Sequence, residues 1–299
     1  MTVDFAFGDA CDGPGTISMG LPLLSGEPAE ALSGAAEPAG TSGHFRLWRG
    51  DSRLFGHARL GAVSGTEAAA ARLYGELLHA TRGLHLHRIW NCVPGINSRG
   101  PDGTENYHAF CRARSIAFEA EYGPRFAARL PAASAVGTER HEITVVFVAG
   151  ASPARNVENP RQTPAYNYPA EHGPRPPSFA RATVLATAQG TEVYVSGTSS
   201  IAGHQTVAPG DTRAQAKCTL GNLAGISRAC GLGDDLGGEH GRRHFKVYLR
   251  NPADLAACEA EMSGDWIRAG DRVTYLRADI CRAALNVEVE VAVRGLPRI

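Results

Sequence analysis

Acidic side chains alternate with valines near the end of the chain, between Leu285 and Val291. In an extended strand, alternate residues face opposite sides, so Glu288 and Glu290 share one side and the valines share the other. Such a pattern is typical of a strand with one solvated face. If the polar face instead lines a cleft, burial raises the pKa of a glutamate and makes it an acid or base near neutral pH. The pattern alone leaves both interpretations open.

A long proline-rich loop carries side chains that suit the binding of an anion. Residues 151–177 contain Arg161, Tyr166, Tyr168 and Arg175. Proline lowers the entropy cost of holding such a loop in one shape. Arginine forks and phenol hydroxyls are then suited to a small dianion. The alternative is a rigid surface linker whose arginines are solvated.

Other patterns for ligand binding or catalysis are weaker. The run of small residues at 196–200, which continues to Gly203 and His204, allows close backbone approach to a ligand or serves as an ordinary connection between a strand and a helix. It has neither the P-loop pattern nor a G-x-S-x-G elbow for a serine nucleophile. His85 and His87 share one face of a predicted strand. Because no third ligand accompanies them, we expect no metal.

Composition excludes several classes of protein. The 299 residues include 30 basic and 30 acidic side chains, so no net field favours nucleic acid or an anionic membrane. No apolar run approaches the ~20 residues that cross a bilayer. Without a recognisable secretory signal, the expected location is the cytoplasm.

Two residue types add further information. The cysteines are odd in number and lack C-x-x-C spacing, which favours reduced thiols over a disulfide scaffold or a zinc knuckle. All basic residues except Lys217 and Lys246 are arginines. This preference suits a carboxylate-bearing ligand, although a codon-usage bias produces the same composition.

The elements that must position these residues recur in the same order along the chain. Residues 9–43 are predicted to form a loop around one short apolar segment. The first series comprises strands at 44–49 and 53–63, a helix that Thr66 caps and that runs to about Thr81, a strand at 85–93, a helix at 105–122 and a strand at 142–149. The second comprises strands at 179–188 and 192–197, a helix between Asp211 and Gly231, a strand at 244–250, a helix at 252–262 and strands at 272–277 and 285–293.

This order predicts an α+β protein built by duplication, with one more strand in the second series. The halves are residues 1–150 and 151–299, each a mixed sheet with two helices packed on one face. Two unrelated α/β domains are the alternative.

Several stretches, taken in order, resemble the chorismatase family, whose members hydrolyse chorismate in bacterial secondary metabolism. They are RIWNCVPGIN (88–97), ENYHAFCRARSIAF (105–118), PAASAVGT (131–138), NPRQTPAYNYPAEHGPRPPSFARA (159–182), SGTSSIAGH (196–204) and CRAALNVEVE (281–290). The resemblance implies halves related to YjgF-like proteins and to the trimeric type of chorismate mutase. It also implies chorismate as substrate, no cofactor and, because the halves are fused, a monomer.

The resemblance further implies roles for individual residues. Glu288 matches the family's catalytic glutamate, which protonates the methylene carbon of the enolpyruvyl group, and Glu290 is the fallback. The residues expected to bind substrate are Arg114, Arg161 and Arg175 for its carboxylates, Tyr107, Tyr166 and Tyr168 for orientation, and Ser199 and Gly203 in the small-residue run. Cys281 matches a cysteine of the members that form an aromatic product, although a free cysteine is commonly just a buried residue.

The expected products are pyruvate and a hydroxybenzoate, either the 3- or the 4-isomer. Alternatives are a hydrolytic chorismatase that forms a dihydroxycyclohexadiene carboxylate, a YjgF-like imine deaminase, and a chorismate-binding module without turnover. The chain departs from the family pattern at Cys92, at Cys111 and at Gln205. These departures leave the position of the product's hydroxyl group open.

Overall fold

A computed structural model describes residues 1–263 and 266–298. Its strands are β1 (Val3–Ala6), β2 (Thr16–Ser18), β3 (Leu23–Gly26), β4 (Ala29–Ser33), β5 (Glu37–Ser42), β6 (Phe45–Gly50), β7 (Arg53–Gly61), β8 (His85–Pro94), β9 (Ala132–Thr138), β10 (Glu142–Gly150), β11 (Ala154–Val157), β12 (Ala182–Thr187), β13 (Gly190–Ser199), β14 (Ile201–Ala202), β15 (Gln205–Thr206), β16 (Arg242–Leu249), β17 (Arg272–Arg277) and β18 (Val287–Leu296). Its α-helices are α1 (Thr66–Ala80), α2 (Asn106–Tyr122), α3 (Thr212–Cys230) and α4 (Leu255–Met262).

The first large sheet belongs to the N-terminal half and has the strand order β5-β6-β7-β10-β8-β9. Its pairs are antiparallel except for β8 and β9, which are parallel and are connected through α2. Helices α1 and α2 pack on one face through a core that includes Leu73, Phe110, Phe118 and Phe147. This is the predicted mixed sheet with helices on one side.

The second large sheet repeats that arrangement in the order β11-β12-β13-β18-β16-β17-β3. The hairpin β12–β13 corresponds to β6–β7, β18 to β10, and the parallel pair β16–β17 to β8–β9. Helices α3 and α4 cover one face, and the valines of β18 pack beneath them. The predicted α+β fold of two similar halves is therefore confirmed.

The faces without helices contribute to a shared core. Trp48, Phe55 and Trp90 from the first sheet join Tyr194 and Tyr248 from the second. The chain crosses from the first sheet to the second between Gly150 and Ala154, although β3 from the N-terminal region pairs with β17 at the far edge of the second sheet. The inner strands are buried on both faces, which places their polar residues out of water.

Some element predictions are wrong. The sequence predicts a loop at residues 9–43, but they contain β2 to β5: β2 and β4 pair with β1, β3 pairs with β17, and β5 pairs with β6. The first half has β9 as the counterpart of β17, so the second half has no additional strand at that place. Thr66 does not cap α1, because its hydroxyl donates instead to Asn106 Oδ1 at 2.9 Å.

The helix predicted after Asp211 is confirmed, and the Asp211 side chain accepts a capping hydrogen bond from the Ala214 N–H at 2.9 Å. Gly231 ends it with φ 84°, the left-handed conformation that glycine adopts without strain. In the described ranges, no helix is both long enough and apolar enough to cross a membrane.

Candidate active site

A cavity lies where the two halves meet, and both halves contribute to its wall. The first half provides residues of α2 and β9, and the second provides β13, β18 and the proline-rich loop. Its lining includes Tyr107, Cys111, Arg114, Ser134, Tyr168, Glu171, His172, Phe179, Arg181, Gly197, Ser199, Cys281, Arg282 and Glu288. The strand that carries Glu288 is thus the one whose polar face lines a cleft.

Glu288 is held in the middle of the second sheet, since β18 pairs with β13 on one side and with β16 on the other. Its side chain is buried, with 4% of the residue exposed, and its Oε2 accepts a hydrogen bond from the Ser199 hydroxyl at 3.3 Å. Gly197 allows this placement, because a Cβ there would overlap the Glu288 carboxyl oxygen. Burial, with the charge of Glu290 as a second cause, raises the pKa of Glu288 to about 8. Glu288 is therefore a neutral acid at pH 7.

Glu290 has the opposite environment, although it lies on the same face of the same strand. Its carboxylate accepts hydrogen bonds from Arg88 at 2.6 Å and from the Trp90 indole at 2.7 Å, and it lies 2.9 Å from the Lys246 ammonium. Burial alone would raise the pKa of Glu290, but Lys246 and Arg88 lower it below its usual value. Glu290 is consequently an ionised member of a buried ion network and does not line the cavity.

Three guanidinium groups reach the cavity with N–H groups that have no hydrogen-bond partner among the described residues. Arg114 stacks over Tyr74 with its Nε and Nη2 unpaired. Arg181 donates to the Tyr168 hydroxyl at 2.8 Å and keeps Nε unpaired. Arg282 donates to the carbonyl of His204 at 2.8 Å and keeps Nη2 unpaired. Buried donors without partners are costly, so these groups are suited to an anionic ligand.

Neutral side chains complete the wall near Glu288. Burial raises the pKa of the Cys281 thiol to about 12, and the charge of Glu288 adds to the effect. Burial also raises the pKa of Tyr107 well above its usual value, with Cys111 as the next cause. Both groups are therefore protonated at neutral pH. Cys111 and Tyr107 lie one turn apart on α2, and both are buried.

The structure brings together Glu288, Cys281, Arg114, Tyr107, Tyr168 and Ser199, but it does not bring the other predicted site residues to the cavity wall. Arg161 donates to Asn222 Oδ1 at 3.1 Å beside α3, and Arg175 forms an ion pair with Glu119 at 2.8 Å. Their guanidinium groups already have partners within the protein.

Tyr166 packs at the edge of the first-half core, and Gly203 lies in the β14–β15 turn with φ 58°. Gly203 is held there by backbone hydrogen bonds with Arg161 and Thr163. His85 is exposed, whereas His87 is buried and its Nε2 lies 2.9 Å from the Ser152 carbonyl. The two histidines thus do not share one environment.

Sequence reasoning missed Arg181, Arg282, Ser134 and the pair Glu171–His172 on the wall. The signal was available for the first two, because Arg181 lies in the stretch 159–182 and Arg282 in the stretch 281–290. Ser134 carries no motif of its own. It accepts the Gly197 N–H at 2.9 Å and donates to Glu290, and so connects β9 to the second half.

Comparison with known proteins agrees with this geometry. The family model described as "Chorismatase FkbO/Hyg5-like, N-terminal" matches residues 32–149. A "Chorismatase" of Streptomyces hygroscopicus is 37% identical over 263 residues, which cover 81% of this chain and 72% of the relative. A "3-hydroxybenzoate synthase" of the same species is 37% identical over 244 residues, with 75% and 68% covered.

A solved structure has the same architecture. A crystal structure of a chorismatase superposes with a TM-score of 0.83 at 30% identity and covers 98% of this chain and 93% of that one. Similarity of this extent, in sequence and in fold, shows that the chain belongs to the chorismatase family.

Proposed function

We propose that the protein converts chorismate into pyruvate and a hydroxybenzoate. Family membership supports the substrate, and the relative named 3-hydroxybenzoate synthase supports the product class. The observation that carries the proposal is the neutral, buried carboxyl group of Glu288 on the wall of a cavity that also contains unpaired guanidinium N–H groups. An acid and donors for two carboxylates are the groups that this reaction needs.

Glu288 is proposed to supply the proton. Cleavage of an enol ether begins with transfer of a proton to its methylene carbon, a slow step that requires an acid held in place and shielded from water. With a pKa of about 8, Glu288 carries that proton at neutral pH. After transfer its carboxylate faces the new oxocarbenium ion and stabilises the positive charge.

The cavity arginines are proposed to hold the substrate. Chorismate carries one carboxylate on its ring and one on the enolpyruvyl group. Arg114 from the first half and Arg181 and Arg282 from the second present the unpaired N–H groups, so the ligand bridges the two halves. The Tyr168 hydroxyl, which accepts from Arg181, fixes the orientation of that guanidinium group.

The product depends on what happens to the oxocarbenium ion. If the neighbouring ring hydroxyl attacks the ring carbon that bears the ether oxygen, that carbon–oxygen bond breaks and pyruvate leaves, while the hydroxyl proton returns to the Glu288 carboxylate. The epoxide-like intermediate then rearranges to a hydroxybenzoate, and the atoms of the two products together equal those of chorismate. Attack by water adds one water molecule and gives the dihydroxycyclohexadiene carboxylate. The neutral thiol of Cys281 offers no base to activate water, which favours the internal attack.

Incubation of the purified protein with chorismate tests the proposal. Pyruvate is measured by a coupled lactate dehydrogenase assay, and the ring product is identified by chromatography against 3- and 4-hydroxybenzoate. If pyruvate does not form faster than in the uncatalysed reaction, the proposal that the protein is an enzyme is rejected. Calorimetry with chorismate then shows whether the protein binds this ligand without converting it. Ammonia released from imino acids would instead favour the deaminase.

A cysteine pair tests the proposed control of product. Cys281→Ala is expected to release a measurable share of the dihydroxycyclohexadiene carboxylate, because water gains room beside Glu288. Cys230→Ala is the matched control, since Cys230 is also buried with a pKa of about 12 but packs in the second core from the last residue of α3. An unchanged product in both variants removes Cys281 from the argument.

A further inference from the structure

Two histidines and a glutamate converge at the edge of the cavity, outside the proposed acid and arginine groups. His172 Nε2 lies 3.1 Å from His204 Nδ1 and 3.3 Å from Glu171 Oε1, and His204 Nδ1 lies 3.2 Å from the same oxygen. Glu171 and His172 line the cavity. The three atoms form a nearly equilateral triangle.

The backbone holds these residues on two segments that face each other. Glu171 and His172 lie on a single 3-10 turn, Ala170–His172, in the proline-rich loop. His204 lies in the turn between β14 and β15. Backbone hydrogen bonds of Gly203 with Arg161 at 3.0 Å and with Thr163 at 2.9 Å fasten this turn to the same loop. Backbone hydrogen bonds therefore fix the two segments that bring the side chains of Glu171, His172 and His204 together.

The triangle has the dimensions of one face of a zinc coordination tetrahedron. Zinc bonds of about 2.0–2.1 Å to histidine nitrogen and carboxylate oxygen place neighbouring ligand atoms about 3.3–3.4 Å apart in a tetrahedron. Two imidazoles and a carboxylate are also a donor set that zinc prefers. We propose that Glu171, His172 and His204 bind one divalent zinc-class ion at the mouth of the cavity.

The hydrogen bonds within the cluster fit the binding of an ion. His172 Nε2 has two acceptors in reach, His204 Nδ1 and Glu171 Oε1. When the ion binds, the neutral imidazole carries its proton on Nδ1 instead, so the ion takes the place of the proton on Nε2. The Gln205 side-chain amide lies 2.9 Å from Glu171 Oε1 and 3.1 Å from His204 Nδ1. If the Gln205 amide group rotates by 180°, its carbonyl oxygen supplies the fourth ligand of the ion. Without that rotation, a water molecule supplies it.

Occupation of this site fastens the proline-rich loop to the β14–β15 turn across the cavity mouth. Substrate entry and product release then require the proline-rich loop and the β14–β15 turn to separate. Zinc is therefore expected to slow chorismate turnover, a consequence that rests on the proposed function. Binding of the ion itself does not rest on it.

Cobalt replaces zinc as a spectroscopic probe in the test. Chelator-treated protein with Cys11→Ser as background, to remove an exposed thiol, is titrated with Co²⁺. One equivalent is expected to give the intense visible bands of four-coordinate cobalt, which zinc then abolishes. Weak bands of six-coordinate cobalt, or near-ultraviolet bands of cobalt–thiolate bonds, overturn the proposal.

Variants locate the site. Glu171→Ala removes an exposed ligand with little risk to folding, and His204→Ala removes a nitrogen ligand. Each is expected to weaken zinc binding by more than the roughly 10–100-fold that loss of an outer-shell partner costs. His141→Ala, at an exposed histidine outside the cluster, is the control and keeps full binding. Equal zinc affinity in all three variants refutes the site, whether or not chorismate is turned over.

Discussion

Replacement of Glu288 by glutamine removes the acidic proton and leaves the volume of the side chain almost unchanged. The folded protein keeps the Glu288 carboxyl protonated up to about pH 8, against an ordinary value of 4.5, because burial and the charge of Glu290 oppose ionisation. The unfolded chain ionises it near its ordinary value. As the pH rises between those two values, the unfolded state is stabilised and the folded state is not.

The magnitude follows from the size of that interval. Each pKa unit corresponds to about 1.4 kcal/mol. The wild-type protein thus loses about 4 kcal/mol of unfolding free energy between about pH 5 and pH 9 through this one group. Glutamine does not titrate, so the stability difference between Glu288→Gln and wild type grows by that amount over the same range. All other carboxyls are common to both proteins and cancel in the difference.

Urea denaturation at several pH values measures this difference, and the pyruvate assay measures turnover in parallel. General acid catalysis contributes about 10²–10⁴-fold to a rate, and the turnover of Glu288→Gln is expected to fall by at least this factor. Wild-type turnover is expected to fall above about pH 8, where the acid ionises. Glu139→Gln, at an exposed side chain, is the turnover control. Parallel stability curves for the two proteins, or wild-type turnover in Glu288→Gln, refute the reasoning.

Three further outcomes are expected. Ser199→Ala removes a hydrogen bond that lowers the pKa of Glu288, so the alkaline limb of the pH–rate profile moves upward; a downward shift contradicts this. Gly197→Ala displaces the Glu288 carboxyl by overlap and lowers kcat by about 100-fold while circular dichroism stays unchanged. Arg181→Met weakens chorismate binding about 10–100-fold, because a charged hydrogen bond to the substrate is lost. Arg175→Met, at an arginine outside the cavity, is the control and leaves KM unchanged. Equal KM values for the two variants argue against the arginine assignment.

The sequence predicted the strand that carries Glu288, the proposed acid, but not which of the strand's two faces is covered. Alternation in 285–291 defines two faces, and both are buried in the fold: the valines under the helices and the glutamates against the first half. Burial of the polar face depends on docking of a distant sheet, which leaves no local signal. The different states of Glu288 and Glu290 likewise depend on Arg88 and Lys246, which lie far along the chain.

The failures have similar physical causes. Strand β9 has the sequence AASAVGT, whose small side chains suit the close approach of β13, but only Val136 and Thr138 in it are branched residues that favour a strand. Arg161 and Arg175 have the right chemistry for an anion, but Asn222 and Glu119 take up their donors. Arg181 and Arg282, which were missed, stand in the stretches 159–182 and 281–290, but their sequence neighbours do not show that their side chains reach the cavity.

The duplicated architecture joins its two copies in one polypeptide, and the copies have specialised. Glu288, the proposed proton donor, comes from the later copy, whereas Arg114 comes from the earlier one. In a ring of identical subunits, every mutation is introduced at each interface at once, so a change that improves one contact alters all its symmetry mates. Fusion removes that constraint, because each copy mutates independently. An asymmetric substrate with one reactive end can then be bound between two cavity walls that differ from each other.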